Sequence, residues 1–108
     1  MNEMHNLSCN EMIALTAIID HETNAGRAPL LWNWVSDLVL TESARRAGNT
    51  GENPPMPFGN RDDAVSAAKE LAVCTLTCEE IGQPNIATFF ALLGYEIAQQ
   101  WGFGQRFS

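Results

Sequence analysis

Between residues 67 and 81 the side chains Ala67, Leu71, Cys74, Cys78 and Ile81 recur at spacings of four, three, four and three. That rhythm sets a helix with one buried stripe, because a half-buried strand would need an apolar residue at every second position. Such a helix must have its stripe covered by another element. No alternating strand pattern occurs anywhere in the chain, so the cover is expected from further helices.

Three other segments can supply them. Leu7-Ser8-Cys9-Asn10-Glu11-Met12 reads as a helix start: Ser8 can cap, Glu11 can reach back to it, and Leu7 can staple against Met12. The run that follows is apolar nearly all round and stops at Asn24-Ala25-Gly26, which predicts a helix over 8–23. Pro29 suits the first turn of a second helix, 29–47, with Leu31, Trp34, Val35 and Leu38 on its buried face and Arg45 and Arg46 in its last turn. Asn60, followed by Asp62 and Asp63, starts the striped helix, 60–81. A fourth helix, 85–101, carries Ile86, Phe89, Phe90, Leu93, Ile97 and Trp101 on one side. A second stripe on it, Ala87, Ala91, Gly94 and Ala98, is made of small residues, which lets another helix approach closely.

Four helices in 108 residues with 45% hydrophobic content give an all-α fold, a compact four-helix bundle-like single domain over 1–108. Between the second and third helices lies a stretch too rich in Gly, Pro and Asn to be helix, predicted as a long loop over 48–59. It carries Met56 and Phe58 among its prolines. A loop of this length in a compact domain is usually functional or disordered, and these two side chains are expected either as a lid on the protein's own helices or as anchors for a partner. Beyond the fourth helix the tail keeps Phe103 and Phe107.

Charge narrows the function classes. Thirteen acidic residues against six basic ones give a net charge of -7, and the basic residues are scattered. A surface that neutralises phosphates needs clustered Lys and Arg, so nucleic acid is not expected as a direct ligand. The opening MNEMHNLSC lacks a basic region followed by an apolar one, and no apolar run approaches the length of a membrane span. The expectation is a soluble, cytoplasmic protein with reduced thiols.

Groupings with chemical potential weaken when their geometry is considered. His5, Cys9, Cys74 and Cys78 are four soft or borderline ligands in two pairs. The helix start at Ser8 separates His5 from Cys9, however, and Cys74 and Cys78 sit on the buried stripe, where a free Cys acts as a small apolar residue. Asp20-His21-Glu22 are adjacent on a helix and point in different directions, so they do not converge on one atom. There is no Gly-x-Ser-x-Gly elbow, no Gly-rich phosphate loop and no Glu-x-x-His pair. No metal, no cofactor and no catalytic residue is assigned.

Surface features carry what remains. Trp32 and Trp34 are two positions apart and cannot both face one narrow core stripe, so Trp32 is assigned to a groove or interface. Glu79 and Glu80 stand near a helix C-terminus, the unfavourable end for acids, as though something basic meets them there. The expected function is that of a small acidic non-enzymatic adaptor or inhibitor that binds another protein bearing a basic surface. Met56, Phe58, Trp32, Glu79 and Glu80 are the contact residues. One form of it is a phage or mobile-element inhibitor of a host defence or nucleic-acid-binding complex. Homodimerisation through Ala87, Ala91, Gly94 and Ala98 is a second expectation. The alternative class is a small-ligand-binding or enzymatic helical domain with a pocket between helices.

Overall fold

The computed structural model describes residues 4–49 and 51–103; Phe107 lies outside them. A short 3₁₀ turn, Met4–Asn6, precedes four α-helices: α1 (Cys9–Ala25), α2 (Pro29–Arg46), α3 (Arg61–Glu80) and α4 (Pro84–Trp101). There is no strand among the described residues, and the chain is all-α. The residues form two compact units, one spanning 7–57 and holding α1 and α2, the other made of 4–6 and 58–103 and holding α3 and α4.

In the first unit the expected capping box is formed. The Ser8 hydroxyl accepts from the Glu11 N–H at 3.1 Å, and the Ser8 N–H donates to Glu11 Oε1 at 2.8 Å. Gly26 ends α1 in the left-handed region, φ 77°, and its N–H donates to the Thr23 carbonyl. Ala28, the residue before α2, is also left-handed at φ 47° although it carries a Cβ, a conformation that disfavours every residue but Gly. Pro29 then opens α2 without a side-chain cap.

Both Trp32 and Trp34 are buried, at 0% and 6% exposure, which corrects the expectation that Trp32 lies at a groove or interface. At 100° per residue they lie about 160° apart on the helix wheel. The buried arc of α2 is that wide, since it takes in Leu31, Val35, Leu38, Val39 and Glu42 as well. On the Trp34 edge the following loop supplies the cover: the indole N–H donates to the Pro54 carbonyl at 3.1 Å. Arg45 holds the same loop further back, from Nη2 to the Gly51 carbonyl at 3.3 Å and to Asn53 Oδ1 at 3.0 Å.

In the second unit Asn60 caps α3, its side-chain oxygen accepting from the Asp63 N–H at 2.9 Å. The stripe Ala64, Ala67, Leu71, Cys74 and Cys78 is buried as the spacing requires, but Ile81 is exposed because the helix has already ended at Glu80. Gly82, at φ 78°, turns the chain, and the Gln83 N–H returns to the Cys78 carbonyl at 2.8 Å. α4 then runs back along α3 with Ile86, Ala87, Phe89, Phe90, Leu93 and Ile97 buried.

Candidate functional site

Phe58 is 7% exposed, so it does not stand out as an anchor for a partner; of the two loop residues assigned that role, only Met56 keeps part of its surface. Burial of Phe58 has a physical reason. A ring in a tight Pro- and Gly-rich segment lowers its free energy by about 2 kcal/mol or more when it leaves water, and the prolines reduce the chain entropy lost in holding it there. Glu79 and Glu80 are exposed as expected. Neither meets a basic side chain among the described residues, and the last turn of α3 contains none.

Residues grouped by the sequence as potential chemistry separate in space or in environment. Asp20 and His21 are exposed, whereas Glu22 is buried and paired to Arg27 at 3.0 Å. His5 and Cys9 are exposed, Cys74 and Cys78 buried. Burial pushes the Cys78 thiol above its ordinary pKa, which makes it a poorer nucleophile and metal ligand at neutral pH.

Stripes on α3 and α4 build a concavity. The small residues of α4 do not share a single role. Ala87 is buried, Ala91 is exposed, and Gly94 and Ala98 are half-buried. A Cβ placed on Gly94 would lie 3.9 Å from the Cβ of Leu71, so α3 passes close to α4 at this point. α3 carries a matching set, Ala68, Ala72 and Thr75, at the same spacing of four and three. Small side chains on both helices leave the seam unfilled and form a trough of about 420 Å³. Its floor is Leu71 and Phe90, both buried; Ala68, Ala72, Thr75 and Leu76 line it from α3, and Ala91 and Gly94 from α4.

Exposure of Ala72, Ala91 and Leu76, the last at 63%, makes the trough open to solvent along its length. None of its lining side chains titrates. Its one hydroxyl, on Thr75, donates to the Leu71 carbonyl at 2.8 Å and is thereby committed to the helix. The surface can take up apolar groups; it has nothing with which to move a proton, attack a carbonyl or hold a metal. Sequence reasoning found the α4 half of this arrangement and missed the α3 half. The available signal was Ala68-x-x-x-Ala72-x-x-Thr75, a second row of small residues at helical spacing beside the buried stripe.

Among the described residues no helix is long and apolar enough to cross a membrane. Comparison with protein-family models, with curated proteins and with solved structures finds no match.

Proposed function

We propose that this chain is a non-enzymatic interaction protein, an adaptor or inhibitor, and that it binds another macromolecule through the α3–α4 trough. The observation that carries this reading is the composition of the lining: apolar throughout, with its only hydroxyl already hydrogen-bonded. Sites for small ligands and substrates combine apolar walls with a few convergent polar groups that fix orientation, and this lining offers none. Shallow, apolar, helix-flanked grooves instead suit the side chains of a second macromolecule. The loop assigned to contact by its composition has a different part in this reading. Its hydrogen bonds to Trp34 and Arg45 make it a cover for α2.

Replacement of the exposed Ala72 and Ala91 by Arg tests the proposal, since it fills the trough from its open side and leaves the buried floor untouched. Wild-type protein used as bait in an extract of its native host is expected to retain a partner in stoichiometric amount, and the Ala72→Arg/Ala91→Arg protein to retain none. Retention by both proteins alike would remove the trough from the function. A small molecule co-purifying with wild type and lost from the variant would favour the ligand-binding alternative.

A further inference from the structure

We propose that the occupant of the trough is an amphipathic helix with a basic margin, seated so that its Lys or Arg residues lie beside Glu79 and Glu80. The inference rests on the reading of the trough as a macromolecular binding face and deepens it by naming the chemistry of the partner.

Shape argues for a helix. The α3 wall runs from Ala68 through Ala72 to Thr75, a rise of seven residue steps, or about 10 Å and two helical turns. That length seats apolar side chains presented at positions i, i+3 or i+4, and i+7, the anchor spacing of a helix laid in a groove. Floor residues Leu71 and Phe90 supply the apolar surface, and Ala72, Ala91 and Gly94 keep the walls low enough for the incoming backbone to come near.

Charge decides which helix. Continuing the α3 row at the same spacing, 68, 72, 75, the next position is 79, so Glu79 stands one turn beyond Thr75 at the end of the trough, with Glu80 beside it. Both are exposed and without a cation among the described residues. The C-terminal carbonyls of α3 add partial negative charge at the same place, a combination that is locally unfavourable until a cation arrives. Within 58–103 the basic residues are Arg61 and Lys69, both in the first half of α3, and the Arg61 guanidinium lies over the Phe103 ring, 5.6 Å from its centroid. The negative end is therefore left for the partner to neutralise. An anionic lipid surface or a nucleic acid would be repelled by it. A second copy of the chain would bring its own acidic residues and a charge of -7.

The probe is a helical peptide of about 14 residues, roughly four turns, with Leu at the anchor positions and Lys elsewhere, compared with the same peptide carrying Glu in place of Lys. Binding to the full chain is read by fluorescence anisotropy. Expected are affinity for the Lys peptide at least about tenfold above that for the Glu peptide, and a loss of about fivefold in Glu79→Gln/Glu80→Gln, as for two exposed charge pairs. Binding should be lost in Ala72→Arg/Ala91→Arg. Circular dichroism monitors folding of the variants, and single Ala91→Arg serves if the double variant does not fold. Equal binding of the two peptides, lost in the Arg variant, would overturn the basic partner and leave the trough in place. Binding of the Lys peptide unchanged by the Arg variant would overturn the trough reading with it, as would failure of both peptides to bind. A wild-type dimer in sedimentation that the Arg variant dissociates would put a second copy in the trough and overturn the inference.

Discussion

The indole N–H of Trp34 donates to the main-chain carbonyl of Pro54 at 3.1 Å, across twenty positions of sequence. A donor at the edge of a helix thus ties down a segment that has no regular structure of its own. Trp34→Phe keeps an aromatic ring and removes the donor, and is expected to cost about 1 kcal/mol in urea unfolding. Faster cleavage after Glu52 by a Glu-specific protease should accompany it; cleavage at the wild-type rate would mean that the hydrogen bond does not hold the loop.

Phe58→Ala is expected to cost stability of about 3 kcal/mol, because the ring is buried and its removal leaves a cavity. Met56→Ala, at a half-exposed position, should cost clearly less. Unfolding free energies for the two variants check the order. Equal, small costs would return Phe58 to the surface.

Glu42 is buried and accepts from two guanidinium groups, Arg45 Nη1 at Oε1 and Arg46 Nε at Oε2, each at 3.0 Å. Arg46 also donates from Nη2 to the Leu7 carbonyl, so the end of α2 is fastened to the residue before the α1 cap. Both Arg side chains are partly exposed, which reduces the strength of the pairs below that of a fully buried one. Glu42→Gln is expected to destabilise by roughly 1 to 3 kcal/mol. Denaturant melts of Glu42→Gln and Arg46→Met should show comparable losses that are not additive in the double variant.

Gly94 lies inside α4 with room for a methyl group, the nearest side-chain atom to a new Cβ being 3.9 Å away. Glycine in a helix interior costs backbone entropy, so Gly94→Ala should stabilise the protein by about 0.5 to 1 kcal/mol. A rise in melting temperature checks this. A fall would show that α3 and α4 approach more closely there than the geometry allows.

Thiol chemistry gives a pH test. Burial raises the Cys78 pKa in the folded state, so the folded chain holds this proton at pH values where the unfolded chain has released it. Its contribution to stability is complete below the ordinary thiol value of about 8.5 and is lost as pH rises through the folded pKa, at no more than about 1.4 kcal/mol per pH unit. Unfolding free energy measured across the alkaline range should fall, and Cys78→Ala should flatten that fall. At neutral pH iodoacetamide is expected to modify exposed Cys9 in the native protein, with Cys74 and Cys78 reacting only on unfolding.

What the sequence made legible was local. The Ser8–Glu11 box, the Asn60 cap and the stop at Gly26 depend on residues within one turn of each other, so their identities suffice to place them. Features that depend on distant partners were not legible in the same way. A helical wheel for α2 cannot tell how wide its buried arc will be, because that width depends on a loop twenty residues away reaching Trp34. Composition marked the loop as unusual but could not say that Phe58 turns inward while Met56 stays at the surface. The trough was half legible: small residues on α4 were noticed, while Ala68 and Ala72 were hidden beside the larger apolar rhythm of Leu71, Cys74 and Cys78. Glu42 was not singled out in the sequence: its spacing to Arg45 and Arg46 fits ion pairs, but exposed and buried pairs have the same spacing.

Each pair of neighbouring helices, α1 with α2 and α3 with α4, is joined by three residues. Closing so short a connection costs little chain entropy, so each hairpin can form as soon as its own residues are available. The unit 7–57, with its loop and the hydrogen bonds from Trp34 and Arg45, draws on no residue of α3 or α4 for these contacts, and all of it precedes α3 in the chain. Met4 is buried, yet it belongs to the unit built from 58 onward. It precedes the whole of 7–57 in the chain, yet its burial is completed only once the residues from 58 onward exist.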